Sequence, residues 1–326
     1  LWIIGVVIGF AGMLFMLGTL ILITLKLIFQ PGAAPGLVPV LPGVKVSPLL
    51  PVLSFWHWII IIFIVALIHE FSHGIFARLN NIKIKSSGFA FLGPIPAAFV
   101  EPDETQMKKK NRKAQLSILA AGAFSNIILA FFVLILMLMI FLPIQRSLIE
   151  PSGIYVLSAI ENYPANLSGI QPGSTITGIN NQEIKSSEKF LEFIKNSNGE
   201  FVVNTDKGDY TVNPILTEGN YVIGVQTMQL TDYKSKNFGT ASFKWLLELL
   251  GWLWIISLGV GLFNLLPLGP VDGGRMLPIG LSFLIKDKNK IKMIWKYTSF
   301  FVLGLIIINL LPYFVSLFKW VISLII

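Results

Sequence analysis

The chain has 326 residues, of which 54% are hydrophobic and only 13% are charged, whereas a typical soluble protein carries about 25% charged residues. Its net charge is +8, but the densest basic run, residues 108–113, directly precedes an apolar segment, where positive charge sets membrane topology and touches anionic lipid. The absence of cysteine excludes disulfides, thiolate ligands and a cysteine nucleophile. We therefore expect an integral membrane protein that contacts the lipid bilayer and no nucleic acid.

Long apolar segments recur along the chain, and a helix needs about 20 such residues to cross a bilayer. They predict spans at residues 1–29, 55–79, 113–142, 243–266 and 291–311, with a candidate short sixth span at 313–326. Pro143 is expected to end the third span, and Pro312 to separate the fifth from the sixth. The first block is too long for a signal-peptide core, and because the chain starts with Leu1 we expect a trimmed sequence.

A polar stretch, residues 150–228, interrupts this pattern with short β-type runs separated by turn residues. Helical spacing occurs once within it, at residues 188–194. This stretch predicts a small α+β domain between an N-terminal membrane part, residues 1–142, and a C-terminal membrane part, residues 243–326. The predicted fold class is a multi-span α-helical membrane protein, with five to six transmembrane helices and one inserted α+β domain.

Basic residues concentrate in two of the loops between the predicted spans. One group lies between spans two and three: Arg78, Lys83, Lys85, Lys108, Lys109, Lys110, Arg112 and Lys113. The other lies between spans four and five: Arg275, Lys286, Lys288, Lys290, Lys292 and Lys296. Since cytoplasmic loops carry the excess of positive charge, we expect both loops to be cytoplasmic and the polar domain to be external to a cell membrane.

Chemically active residues occur in the second predicted span, which contains His69-Glu70-Phe71-Ser72-His73. Two histidines four residues apart share one helix face and can bind one zinc ion, with the glutamate as general base. A helix with incidental polar residues is the alternative, but ionisable groups at membrane depth are costly and mark function by default. The third histidine, His57, is about 18 Å away along a helix, too far to share the ion.

Without cysteine or a spare histidine, the third zinc ligand should be a carboxylate. Asp272 follows the fourth span on the cytoplasmic side, at a depth similar to His69 and His73. Two imidazoles and one carboxylate leave a fourth position for water, as catalytic zinc requires, so we expect one Zn²⁺ per chain. The alternative is that Asp272 is an ordinary turn residue. Three rival carboxylates lie in a charged loop, where water solvates them: Glu101, Asp103 and Glu104.

The sequence resembles the site-2 protease family of intramembrane zinc proteases, in its archaeal or bacterial form. Besides the zinc motif, residues 264–273 resemble the family's asparagine-containing segment that ends in Asp-Gly. Residues 122–126, Gly-Ala-Phe-Ser-Asn, are similar to a Gly-x-x-x-Asn stretch in the family core. Together these motifs cover the three core spans.

The resemblance implies a zinc metalloendopeptidase that cleaves transmembrane substrate helices in regulated intramembrane proteolysis. His69, His73 and Asp272 would hold zinc and Glu70 would be the base. Asn264 would be a polar group near the substrate carbonyl or oxyanion, where its N–H could stabilise negative charge; an interhelical hydrogen bond is the alternative. Asn126 is expected to be structural.

Residues 153–184 resemble the PDZ domains that these proteases often carry, most clearly at Pro164 to Ile176. A PDZ domain adds a peptide strand to a sheet edge, and residues 152–154 are expected to lie near that groove. A peptide ligand of this domain is therefore an expected partner besides the membrane substrates. A domain that only screens bulky substrates is the alternative.

Residues 88–100 form a Gly- and Pro-bounded loop that we expect to supply an edge strand for the unwound substrate. Two other function classes fit less well. A metal transporter would show several midplane carboxylates or histidines and usually repeated halves, neither of which is evident. A catalytically silent membrane chaperone would be expected to lose Glu70 or a ligand.

Overall fold

The computed structural model describes residues 2–30, 32–33, 35–46, 50–93 and 95–323. Leu1 and the last three residues of the candidate sixth span, 324–326, lie outside the described residues. The chain forms two compact units, which are a membrane unit made of Leu1–Leu138 with Trp245–Ile326 and an inserted unit made of Met139–Lys244.

Ten α-helices are found among the described residues. They are α1 Trp2–Phe29, α2 Phe55–Leu79, α3 Glu104–Lys109, α4 Arg112–Leu136, α5 Leu142–Leu148, α6 Pro164–Leu167, α7 Ser187–Asn196, α8 Phe238–Phe263, α9 Asp272–Leu281 and α10 Lys288–Ser323. The strands are β1 Ile84–Leu92, β2 Ile95–Pro102, β3 Ile149–Ala159, β4 Thr175–Ile179, β5 Gln182–Glu183, β6 Phe201–Thr205, β7 Gly208–Val212, β8 Ile215–Thr217, β9 Asn220–Val222 and β10 Val225–Tyr233.

Five helical segments of the described chain are long and apolar enough to cross a membrane. They are Ile3–Phe29, Phe55–Leu79, Arg112–Leu148, Phe238–Phe263 and Lys288–Val315. With the β-rich inserted unit, they confirm the predicted fold class of a multi-span helical membrane protein with one inserted α+β domain.

The sequence predicted that Pro143 and Pro312 each end a helix, but neither of them does. A π-helical turn, Met137–Phe141, joins α4 to α5, and Pro143 lies in the first turn of α5. The π-helical turn before it already interrupts the regular α-helical hydrogen bonding, so the missing N–H of Pro143 costs less there. Pro312 lies inside the continuous helix α10, since neighbouring groups in a membrane protein can satisfy the freed backbone. A separate sixth span is therefore absent from the described part of the chain.

The membrane unit packs α2 against α4 and places a β-hairpin beside α2. In this hairpin β1 pairs antiparallel with β2, from Ile84 opposite Pro102 to Leu92 opposite Ile95. A Cβ on Gly74 of α2 would lie 3.0 Å from Val100 Cγ1 of β2. The missing side chain at this position lets the strand approach the helix closely.

The inserted unit is built on an antiparallel sheet with strand order β10-β3-β4-β6-β7, and β5 pairs with β4. Ile154, Val156, Phe190 and Val203 are fully buried in its core. Residues 152–154 do not border a free edge, because they belong to β3, which pairs with β10 on one side and β4 on the other. They were expected before the first strand and near a peptide groove; they instead lie within β3, beside β10, which forms the sheet edge near α7.

Candidate active site

Helix α2 carries His69 and His73 on successive turns, with Glu70 directly after His69. Its N-terminus is capped by Ser54, whose hydroxyl accepts a hydrogen bond from the His57 N–H. The imidazole of His57 is buried near this end, with Nε2 3.1 Å from the carbonyl oxygen of Trp245. The structure therefore separates His57 from the other two histidines, as their spacing predicted.

A tight turn after α8 brings Asp272 to these histidines. The Gly273 N–H donates to the Asn264 carbonyl at 2.7 Å, which closes the turn. Side chains at the next two positions would contact the backbone, since a Cβ on Gly273 would strike the Leu265 carbonyl and one on Gly274 the Leu268 carbonyl. The two glycines therefore let α9 begin directly at Asp272, close to the end of α8.

Three electron-rich side-chain atoms converge at this point. Asp272 Oδ2 lies 3.2 Å from His69 Nε2 and 3.4 Å from His73 Nε2. The two Nε2 atoms are 3.2 Å apart, and the three side chains are 10–12% exposed. Asp272 Oδ2 is buried without a hydrogen-bond partner among the described residues.

The environment of His73 directs its Nε2 lone pair toward this centre. Its Nδ1 lies 2.7 Å from the carbonyl oxygen of Ile118 in α4. Because a carbonyl only accepts hydrogen bonds, Nδ1 carries the proton and Nε2 is left free to bind a metal.

Asn126 in α4 contacts the Nδ1 atom of the other imidazole, that of His69. Its side-chain amide lies 3.2 Å from His69 Nδ1, and Asn126 is fully buried. Its oxygen has no partner among the described residues, and a half-turn of the amide exchanges its oxygen and nitrogen. With the oxygen toward His69, the amide accepts the Nδ1 proton and also leaves Nε2 free.

Gly122, one turn before Asn126, keeps the space beside the imidazoles open. A Cβ at this position would contact His73 Nε2 and would lie 2.6 Å from His69 Cε1 and Nε2. No larger residue fits here without moving the imidazoles.

Glu70 faces a cavity of about 530 Å³ that the three clustered residues also line. Its Oε2 accepts a hydrogen bond from the Val100 N–H of β2 at 3.3 Å. The hairpin thus positions this carboxylate beside the cluster, where a general base would be needed.

Asn264 lines the same cavity. Its side-chain Nδ2 donates to the Val260 carbonyl one turn earlier at 3.0 Å. Within the described part of the chain, this amide therefore bonds to α8 and to no other helix. Its second N–H is available for a substrate oxygen.

The rival carboxylates are engaged elsewhere. Glu101 accepts from Ser86 at 2.7 Å, and Asp103 caps α3 by accepting from the Gln106 N–H at 3.0 Å. Glu104 forms an ion pair with Arg275 at 3.2 Å. Within the described part of the chain, the one group of three residues suited to hold a metal ion is His69, His73 and Asp272.

The donor set fits a zinc ion. Two imidazole nitrogens whose protons are held on the opposite ring atoms, and a carboxylate oxygen without a donor, are the ligands of a three-residue catalytic zinc site. The contacts from Ile118, Gly122 and Val100 were not predicted from the sequence as parts of the site. The Gly-x-x-x-Asn stretch indicated that Gly122 matters. Ile118 contributes a backbone carbonyl and Val100 a backbone N–H, and residue type does not reveal such contacts.

The fold and the cluster together define a multi-span membrane protein whose buried His-Glu-x-x-His helix meets an aspartate of another helix, as in membrane metallopeptidases. The sequence model of peptidase family M50 matches residues 57–306. The chain therefore belongs to peptidase family M50, the site-2 protease family.

Individual proteins match this chain with low sequence identity. An uncharacterized protein of Methanocaldococcus jannaschii is 31% identical over 238 residues, which cover 71% of this chain and 59% of the relative. The match thus spans less than two thirds of that protein. The PDZ domains of SdrC-like proteins from Listeria innocua and Listeria monocytogenes are 28% and 25% identical. Each likeness covers 23% of this chain, and 93% and 87% of the respective domain, with a TM-score of 0.21.

Proposed function

We propose that this protein is an intramembrane zinc metalloprotease that hydrolyses peptide bonds in transmembrane helices of substrate proteins during regulated intramembrane proteolysis. The observation that carries this proposal is the convergence of His69, His73 and Asp272 beside Glu70, in one cavity of a membrane unit.

The residues divide the chemistry between them. His69, His73 and Asp272 would hold one zinc ion, which when bound supplies Lewis acidity and lowers the pKa of a bound water. Glu70 accepts the proton of the attacking water and delivers it to the leaving amine. Its hydrogen bond from Val100 fixes the carboxylate in the cavity. Asn264 offers its free N–H to the oxygen of the scissile carbonyl.

Substitution of the base tests this proposal. Glu70→Gln should retain zinc and lose cleavage of a single-span substrate in detergent, because an amide cannot take up the proton. Glu101→Gln is the matched control, since Glu101 lines the same cavity but bonds to Ser86. A chelator should also abolish cleavage by the unmodified protein. Full cleavage by Glu70→Gln would refute the proposed function.

The outer edge of β2 is proposed to hold the unwound substrate. Val100 directs its N–H away from β1 and toward Glu70, so a peptide added along this edge would pass beside the base. Val100→Pro removes this donor and should abolish cleavage without loss of zinc. Val100→Ala retains the N–H and should remain active, and equal activity of both variants would exclude the edge-strand role.

The inserted PDZ-like domain is proposed to bind a peptide along β10. A cavity of about 430 Å³ lies at the start of this strand and is lined by Ile160, Leu191, Ile194 and Lys195. Its apolar walls suit an apolar residue and Lys195 suits a carboxylate, although Glu218 also lines the cavity. A labelled peptide with a free apolar C-terminus should bind the purified protein, and Leu191→Glu should abolish this binding. Absence of binding to the unmodified protein would favour steric screening of bulky substrates instead.

A further inference from the structure

The metal-site cavity is bordered by an ion pair that the proposed chemistry does not use. Arg275 Nη2 lies 3.2 Å from Glu104 Oε1, and the two side chains are 46% and 58% exposed. The three residues of the cluster are only 10–12% exposed, although all five line one cavity. The pair therefore stands at the solvent end of this cavity.

The same ion pair also borders a second cavity. Arg275 and Glu104 also line a neighbouring cavity of about 310 Å³, whose walls include Pro278 and Trp295. Both side chains border both cavities, as do Met107 and Leu119, so the ion pair is part of the wall between the two cavities.

The pair also joins two elements that carry site residues. Glu104 is the first residue of α3, two positions after β2 ends at Pro102. Arg275 lies one turn beyond Asp272 on α9. The α9 side is anchored, because the Trp295 indole N–H donates to the Gly274 carbonyl at 2.8 Å. Among the residues of the six-residue helix α3, Met107 is the one that is buried.

The surroundings of Glu104 favour its ionised form. Its hydrogen bond from Lys108 and the charges of Arg275 and Lys108 lower the pKa of this carboxyl group. Lys108 approaches it at 3.2 Å within α3 itself, whereas Arg275 is its ion-pair partner from another helix, α9.

We propose that the Arg275–Glu104 ion pair is a positioning clamp that holds α3 against α9 and closes the solvent end of the metal cavity. The inference rests on the proposed metal site. It identifies Arg275 and Glu104 as residues that retain the metal without binding it. Opening of the clamp would give water and chelators a wider path to the ligands and would loosen the end of β2.

Zinc release to an excess of chromogenic chelator tests the clamp without measuring proteolysis. Glu104→Gln and Arg275→Gln should each release zinc about two- to five-fold faster, the range expected for an exposed ion pair. The double variant should be no faster than either single variant, because all three lack the same contact. Lys108→Gln, which removes the other cation beside Glu104, should release zinc at the unmodified rate.

Salt provides a second measurement, and its first observation is made on the unmodified protein. Raising the ionic strength should accelerate release from the unmodified protein and leave the double variant unchanged, since exposed charges are screened. Unchanged single-variant rates, additive effects in the double variant, or a salt-independent unmodified protein would each overturn the clamp. The measurements also work in a Glu70→Gln background, so failure of the clamp is distinguishable from failure of the proposed protease.

Discussion

Gly122 faces both imidazoles from α4, and its hydrogen atom occupies the position where any side chain would enter the cluster. The added methyl group of Gly122→Ala would contact His73 Nε2 and lie 2.6 Å from His69 Nε2. We therefore expect this variant to lose zinc and cleavage, although alanine favours the helix by about 1 kcal/mol over glycine. The measurement is zinc per chain by elemental analysis. Gly259→Ala is the control, because a Cβ there meets nothing within 4 Å, and full zinc in Gly122→Ala would contradict the argument.

Asn126 is expected to act on the metal through His69 rather than by contact. Removing its amide leaves the His69 Nδ1 proton without an acceptor, and loss of such a partner typically lowers metal affinity 10–100-fold. Asn126→Ala should show a reduction of about this size in a zinc titration. Asn126→Asp retains an acceptor oxygen and should recover most of the affinity. Equal affinities for the alanine variant and the unmodified protein would leave Asn126 with the purely structural role that the sequence predicted.

How far residue type alone predicts the site depends on how each contact is made. His69, Glu70 and His73 could be grouped because a helix fixes the geometry of residues four apart. Asp272 could be added because cysteine and spare histidines were lacking and the topology placed it at a similar depth. Ile118 could not be predicted, since it contributes a backbone carbonyl that any residue carries.

At the scale of helices and strands, the apolar segments were predictable because burial in lipid requires length and composition alone. Their ends were not. Pro143 and Pro312 remain inside helical segments, because a π-turn precedes the first and a membrane environment tolerates the second. The loop at residues 88–100 was expected to supply a strand, but only the structure shows that β2 borders α2 and presents Val100 to Glu70.

A second fully buried asparagine, Asn309, joins α10 to α1. Its substitution tests whether every buried amide in this fold supports the metal site. Its Nδ2 donates to Thr24 Oγ1 at 2.6 Å, while its oxygen has no partner in the described part of the chain. Interhelical hydrogen bonds in membranes contribute about 0.6 kcal/mol on average, and Asn309→Leu also removes the unpaired oxygen. We expect its thermal unfolding midpoint in detergent to shift by only a few degrees, with zinc retained.

That outcome would separate the two asparagines by function, because Asn126→Ala is expected to lose zinc affinity. Thr24→Val is the matched partner variant and should behave like Asn309→Leu. A loss of zinc in either would instead show that the α1–α10 contact supports the metal cluster.

For the whole molecule, charge distribution predicts an orientation that the packing does not reveal. Both basic loops carry lysines near span ends, so the rule for cytoplasmic loops places them, and the metal cavity near them, toward the cytoplasm. The inserted unit would then be external. The absence of cysteine makes this topology directly measurable, since single cysteines can be introduced without removing native ones.

Lys207→Cys in the inserted unit and Asn289→Cys in the first turn of α10 place one thiol at an exposed position each. In intact cells a membrane-impermeant maleimide should label the first variant, because its thiol would face the outside. The second should react only after permeabilisation. Both should label equally in detergent, which controls for reactivity. Labelling of Asn289→Cys in intact cells would contradict the predicted orientation. It would place the metal cavity toward the outside, because the cavity lies near the same basic loops.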